Sequence, residues 1–216
     1  MNYFITGFHR AGTHSFAEEL AKEVHLPYIE EGQIEWNDWE AVEQLSNCMM
    51  KKRLNKEWVY TFHKELANGF ILQCPMLAAR VLDLAKIGKV YWCTRNHLDI
   101  ITSMKNAQFN VMAWDITKTF HKQFPDDPIW NKLEGQYSGK TDATYGFVQY
   151  YTLVVKVKEY FYKKYFKDSC EVVNLEDRKD YNFKSSNSFK SPLRKGRLAK
   201  VKEVVERYES ICVCQN

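Results

Sequence analysis

Residues 3–15 decide the fold of this chain, and they read YFITGFHRAGTHS. The apolar, β-prone run from Tyr3 to Thr6 ends at Gly7, and from Thr13 onward apolar residues recur at helical spacing. The apolar positions of this helix are Phe16, Ala17, Leu20, Ala21 and Val24. The stretch therefore predicts a strand, a glycine-containing loop and a helix, in that order.

The loop between this strand and this helix has the character of an anion-binding site. Its backbone N–H groups would lie beside the positive end of the helix dipole. The spacing of Gly7 and Gly12 equals that of a Walker A loop, but Thr13 and His14 stand where that loop has Lys and then Ser or Thr. A nucleoside triphosphate is therefore a poor candidate for the ligand. The alternative is a turn that needs its two glycines only for its shape.

The remaining chain alternates between strand-like and helix-like segments. Further β-prone runs occupy residues 70–74, 89–94 and 170–175, and helix-like segments occupy residues 36–52, 76–86 and 145–166. Residues 123–144 contain two prolines and two glycines and predict a long loop. Parallel crossovers need connections of helix length, so we expect an α/β fold, a single domain over residues 1–216 with a parallel sheet flanked by helices.

Composition sets limits on the function. The 216 residues are 45% hydrophobic and 27% charged, as in folded globular proteins, and the net charge of +4 suits an anionic small molecule better than nucleic acid. The six cysteines predict reduced thiols and no metal site, because Cys212 and Cys214 could form half of such a site but no second Cys/His pair has the spacing to complete it. Because no apolar run approaches a membrane span and residues 1–7 lack the pattern of a signal peptide, we expect a cytoplasmic protein without a membrane partner.

Two motifs carry a resemblance to a known family. Gly7, Arg10, Gly12 and Thr13, as Gly-x-x-Arg-x-Gly-Thr after an amino-terminal strand, resemble the 5′-phosphosulfate loop of the sulfotransferases. Residues 95–103 read RNHLDIITS and are similar to the family's 3′-phosphate motif, Arg-Asn-Pro-x-Asp with a Ser eight residues after the Arg, except that His97 replaces the Pro. The alternative role for the Arg of this motif is a surface ion pair with the Asp.

Two further similarities are less specific. Arg194, Lys195 and Gly196 resemble the Arg-Lys-Gly that cytosolic members place on the same 3′-phosphate, although the Gly-Asp-Trp that often follows is missing. Residues 172–177 resemble the family's late strand ending in Glu-Asp. Since residues 178–202 hold nine basic residues and one acidic residue, the alternative for the basic triplet is a solvated surface.

The resemblance implies a P-loop-like fold and a PAPS-dependent sulfotransferase. Such an enzyme moves a sulfuryl group from 3′-phosphoadenosine 5′-phosphosulfate (PAPS) to a hydroxyl or amine, releases adenosine 3′,5′-bisphosphate (PAP) and requires no metal. The implied donor-binding residues are Arg10, Ala11, Gly12, Thr13, His14, Ser15, Arg95, Ser103, Arg194, Lys195 and Gly196. Arg10 would also stabilise charge on the leaving group. The acceptor, a small molecule, carbohydrate or peptide, is not specified by the sequence.

The general base has to be sought by position. Cytosolic members use a His after the strand that precedes the 3′-phosphate strand, but residues 72–75 read LQCP. The tyrosyl-protein branch has Gly-Glu-Glu after the first helix, and Glu30 and Glu31 lie at the equivalent distance. Adjacent residues of an extended segment point to opposite sides, so we predict that Glu31 alone is the base, with His14, His9 and His63 in reserve. The alternative is a solvated Glu-Glu pair.

Two other function classes stay open at this point. One is a P-loop nucleotide kinase or NTPase, which the missing Walker lysine opposes. The other is a non-catalytic nucleotide-binding or nucleic-acid-binding protein that uses the basic residues of 178–202.

Overall fold

A computed structural model describes residues 1–30, 68–106, 112–133 and 146–178. The predictions outside these residues are the helix at 36–52, the base Glu31, the reserve base His63, residues 134–144 of the predicted loop, and the basic stretch from 179 to 202 with its triplet at 194–196. They stay predictions.

The described strands form a five-stranded parallel sheet. The strands are β1 (Tyr3–Gly7), β2 (Tyr28–Glu30), β3 (Ile71–Gln73), β4 (Lys89–Thr94) and β5 (Glu171–Asn174). Their order across the sheet is β2-β3-β1-β4-β5, and each neighbouring pair is parallel. The predicted α/β class is therefore confirmed, and each of the four β-prone runs contains a strand.

Helices connect these strands. They are α1 (Thr13–Val24), α2 (Val81–Leu84), α3 (His97–Asn106), α4 (Met112–Gln123), α5 (Ile129–Leu133) and α6 (Gly146–Phe161). The predicted helix at 76–86 is mostly a 3-10 helix, Pro75–Arg80, before the short α2. The predicted loop at 123–144 contains α5, because Asp127 accepts a hydrogen bond from the amide of Ile129 at 2.9 Å and so caps a helix.

The chain divides into two compact units. The first comprises residues 1–94 and 164–175 and includes all five described strands with α1 and α2. Its core includes Phe4, Ile5, Ile71 and Trp92, all buried.

The second unit comprises residues 95–163 and 176–216 and includes α3 to α6. Helices α3 and α4 both pack against α6, and Phe161 of α6 lies at the centre of an aromatic cluster. Its ring centroid is 5.0 Å from that of Phe120, 4.8 Å from that of Phe124 and 5.6 Å from that of Trp130.

The carboxyl end of β1 is the point where the sheet topology reverses. From β1 the chain goes to β2, at one lateral edge of the sheet, whereas from β4 it goes to β5, at the opposite edge. Gly7 at the end of β1 lies opposite Cys93 of β4, and the amide of Phe8 donates to the Cys93 carbonyl oxygen at 3.0 Å. Ligands of open parallel sheets bind at such reversal points, so the loop after β1 is in the expected position for a site.

Two glycines shape this loop. Gly7 has a φ of 111°, and a Cβ there would collide with the main chain of Cys93. Gly12 has a φ of 73°, and a Cβ there would meet the side chain of Leu175. A main chain held in a sheet cannot move aside, whereas a leucine side chain can rotate, so the demand for glycine is stricter at Gly7.

We therefore expect Gly7→Ala to lower the free energy of unfolding by about 2 kcal/mol or more, and Gly12→Ala by about 1 kcal/mol. Urea unfolding followed by circular dichroism measures both. Equal small losses in the two variants would contradict the close approach of β1 to β4.

Candidate functional site

Several residues of the loop after β1 are buried. Phe8 is buried and packs edge to face against the Trp92 ring, with centroids 5.7 Å apart. Ala11 and His9 are also buried, while Arg10 is partly exposed with a left-handed φ of 62°. The loop is thus anchored by its neighbours and leaves Arg10 as its partly exposed cation.

The loop ends at the first turn of α1, which is suited to an anion. Gly12 is the N-cap and contributes no side-chain cap, and the amide of Phe16 donates to the Gly12 carbonyl at 3.0 Å. Helix geometry leaves the amides of Thr13, His14 and Ser15 without acceptors inside the helix. The first turn contains no acidic residue, so no carboxylate there offsets the positive end of the dipole.

A buried hydrogen bond connects this first turn to the end of β3. The Gln73 Nε2 donates to Thr13 Oγ1 at 3.0 Å, and the two residues are 3% and 5% exposed. Sequence reasoning missed Gln73. The available signal was a polar residue closing a short strand in which all three residues, Ile71–Gln73, are buried.

His14 lies among three polar side chains. Its Nδ1 is 2.8 Å from the Tyr28 hydroxyl and 3.3 Å from Glu30 Oε1, and its Nε2 is 3.1 Å from Glu18 Oε1. Both ring nitrogens are therefore occupied, and His14 can act as a base only if it gives up one of these contacts.

One of the two candidate carboxylates, Glu30, belongs to the same cluster around His14. Glu30, at the end of β2, reaches the second residue of α1, next to the loop. Glu31, the predicted base, lies outside the described residues. His9, one of the reserve bases, is 5% exposed.

The second motif begins directly after β4. Arg95 is 15% exposed, and its Nη2 lies 3.6 Å from Asp99 Oδ2, while Asp99 is 54% exposed. The ion pair that the sequence suggested as an alternative role for Arg95 is thus present. Ser103 is buried and lies one helical turn beyond Asp99 on the same face of α3.

The other residues of this motif start the helix. The Asn96 Oδ1 accepts hydrogen bonds from the amides of Leu98 at 2.9 Å and Asp99 at 3.3 Å, which caps α3. The Asn96 amide donates to Glu176 Oε1 at 3.1 Å, so Glu176 of the late Glu-Asp sequence contacts the capping residue. His97 is the first residue of α3, where Pro is favoured for its fixed φ but another residue is accommodated.

His97 also belongs to a charged cluster around Glu159. The carboxylate lies 2.7 Å from Lys163 Nζ, 3.3 Å from Lys156 Nζ and 3.6 Å from His97 Nδ1. Burial acts to raise the pKa of Glu159, but the Lys163 hydrogen bond and the charges of all three neighbours outweigh it and lower the pKa. Glu159 is therefore ionised at neutral pH and stabilises the positive charges beside the start of α3.

The chain matches no model of a known protein family and no curated protein. Within the described ranges, no helix has the length and apolar character needed to cross a membrane. The assignment of a function therefore depends on the two motifs and on the chemistry of the residues around them.

Proposed function

We propose that this protein is a PAPS-dependent sulfotransferase with a P-loop-like architecture, and that the loop between β1 and α1 binds the 5′-phosphosulfate of the donor. The observation that carries the proposal is the first turn of α1, which follows two left-handed glycines and contains no acidic residue. Its position at the reversal point of a parallel sheet supports a ligand-binding role. Anions are the ligands that such a helix start favours.

The chemistry that we propose is an in-line displacement at sulfur. An acceptor oxygen or nitrogen forms a bond to sulfur while the bond from sulfur to the bridging phosphate oxygen breaks, and PAP leaves. Negative charge then grows on the 5′-phosphate. Arg10 and the amides of Thr13 and His14 would stabilise that charge. Stabilisation by such fixed donors is usually the largest single contribution to catalysis.

Arg95 and Ser103 are proposed to bind the 3′-phosphate. A guanidinium offers paired donors to two phosphate oxygens, and a serine hydroxyl adds a third. The pair between Arg95 and the half-exposed Asp99 is long, at 3.6 Å, so exchanging it for a phosphate costs little. Arg194, Lys195 and Gly196 would add to the same phosphate.

The acceptor proton requires a base, and the choice lies between two adjacent carboxylates. Glu30 Oε1 contacts the His14 ring at 3.3 Å, which gives this carboxylate a different partner. We therefore retain Glu31 as the proposed base and assign Glu30 to holding His14.

The same cluster opposes the kinase or NTPase alternative. In a Walker A loop the residue at the position of His14 is a Ser or Thr that binds Mg²⁺. Here both ring nitrogens of His14 are occupied by Tyr28, Glu30 and Glu18. A non-catalytic nucleotide-binding protein is separated from an enzyme only by the transfer assay below.

The donor prediction concerns thermal stability. Because Arg95 and Ser103 would recognise a 3′-phosphate that ATP lacks, PAP at about 100 times its Kd should raise the Tm by about 5–10 °C without metal. Mg-ATP and adenosine 5′-monophosphate should do much less at equal concentration. Equal stabilisation by PAP and Mg-ATP would contradict the assignment of the second motif.

The 3′-phosphate prediction concerns affinity. Arg95→Ala should weaken PAP binding by about 2 kcal/mol or more, and Ser103→Ala by about 1 kcal/mol, as expected for losing a charged and a neutral hydrogen bond. Titration calorimetry measures both. The control ligand is adenosine 5′-monophosphate, whose affinity should not change; unaltered PAP binding by Arg95→Ala would show that the motif similarity is accidental.

The base prediction compares neighbouring residues. Glu31→Gln should lower single-turnover sulfuryl transfer by about 100-fold or more, as is typical for loss of a general base, with PAP affinity within a few-fold of wild type. Glu30→Gln is the matched control and should lower transfer only a few-fold. A larger loss in Glu30→Gln than in Glu31→Gln would assign the proton to the Glu30–His14 pair instead.

A further inference from the structure

We propose that Gln73 is a positioning residue, which makes the Thr13 hydroxyl a hydrogen-bond donor to the anion bound at the start of α1. The inference rests on the proposed function in one respect, since it takes an anion of the donor as the ligand of the loop. The assignment of Gln73 itself comes from the buried hydrogen bond between β3 and α1.

The first step concerns where the two residues lie. Gln73 is the last residue of β3 and pairs with Ile5 of the neighbouring strand β1. Thr13 is the first residue of α1. The Gln73 Nε2 and Thr13 Oγ1 are 3.0 Å apart, and both residues are more than nine-tenths buried. Solvent therefore does not compete strongly for this bond.

The second step concerns the direction of the hydroxyl proton. A threonine hydroxyl has one proton to donate and two lone pairs that accept, whereas an amide nitrogen only donates. Because Gln73 supplies the proton of this hydrogen bond, it occupies a lone pair of Thr13 Oγ1. The hydroxyl proton of Thr13 must then point to a different acceptor.

The third step concerns that acceptor. Among the described residues, none accepts a hydrogen bond from the Thr13 hydroxyl. Thr13 belongs to the same helical turn whose amides lack acceptors inside the helix. A phosphate or sulfate oxygen at this turn accepts from amides and hydroxyls alike. A hydroxyl oriented in advance gains the bond without reorganising when the anion binds.

The inference makes Gln73 act through Thr13 and not by contact with the ligand. A purely structural role would be different, since Gln73 would then tie β3 to α1 and its loss would reduce stability alone. The two roles are separated by whether the effect of Gln73 on anion affinity disappears once the Thr13 hydroxyl is gone.

The experiment is a double-mutant cycle read by titration calorimetry with PAP and, separately, with inorganic pyrophosphate. Thr13→Val removes the hydroxyl at constant volume, and Gln73→Met removes the donor while it keeps a side chain of similar length. Each single variant should weaken PAP binding about threefold to tenfold, and the double variant should match Thr13→Val within about twofold. Thr13→Ser keeps the hydroxyl and should bind nearly as wild type.

Gln73→Glu reverses the polarity of the contact. An ionised carboxylate accepts only, so it would draw the Thr13 proton toward itself and away from the anion. We expect a larger loss of PAP affinity than in Gln73→Met. The same change combined with Thr13→Val measures the effect of the added charge alone, which should be smaller. If Gln73→Met fails to fold, this second pair of variants decides the question.

The outcomes separate the inference from the proposed function. If wild type binds PAP but Gln73→Met leaves its affinity unchanged, or weakens it equally with Thr13→Val present, the inference is overturned and the proposed function stands. If wild type binds pyrophosphate with the expected cycle but does not bind PAP, the inference stands and the sulfotransferase proposal fails. Binding of neither ligand overturns both.

Discussion

The close approach of two main chains at the end of β1 is the constraint on which the candidate site depends. Gly7 lies so near the backbone of Cys93 that a Cβ has no space, and this contact lets the Phe8 amide bond to the Cys93 carbonyl. The chain can then leave the sheet at once and enter the loop. With a larger residue at Gly7, β1 and β4 would have to separate, and the first turn of α1 would lose its position at the carboxyl end of β1.

The electrostatic potential at the start of α1 depends on the absence of acidic residues from its first turn and on the charged side chains nearby. Its amides and dipole provide positive potential, and no acidic side chain of that turn offsets it. The carboxylates that do come near, from Glu18 and Glu30, contact the His14 ring. The two acidic residues beside the proposed anion site are thus each held by a contact with the His14 ring.

Much of the fold followed from local patterns, since periodicity and glycine position gave strand, loop and helix at residues 3–24. The site was harder, because its polar contacts connect residues far apart in sequence. Gln73 reaches Thr13 across 60 positions, and Asn96 reaches Glu176 across 80. A capping residue between two prolines, Asp127, starts the five-residue helix α5 within the segment predicted as a loop. Glu31 followed from spacing to a family motif and stays a prediction.

The pairing of β5 with β4 has a consequence for how the protein folds during synthesis. The Asn96–Glu176 bond and the sheet contact of Trp92 with Val172 each close a loop of about 80 residues. Until residues 171–174 leave the ribosome, β4 has an unpaired edge, and exposed edges invite pairing with other chains. Contacts of such long range slow folding, and parallel sheets are among the slowest to form. During synthesis there is therefore a period in which β1 to β4 have been made but β4 still has an unpaired edge. Chaperone binding during translation would matter most in that interval.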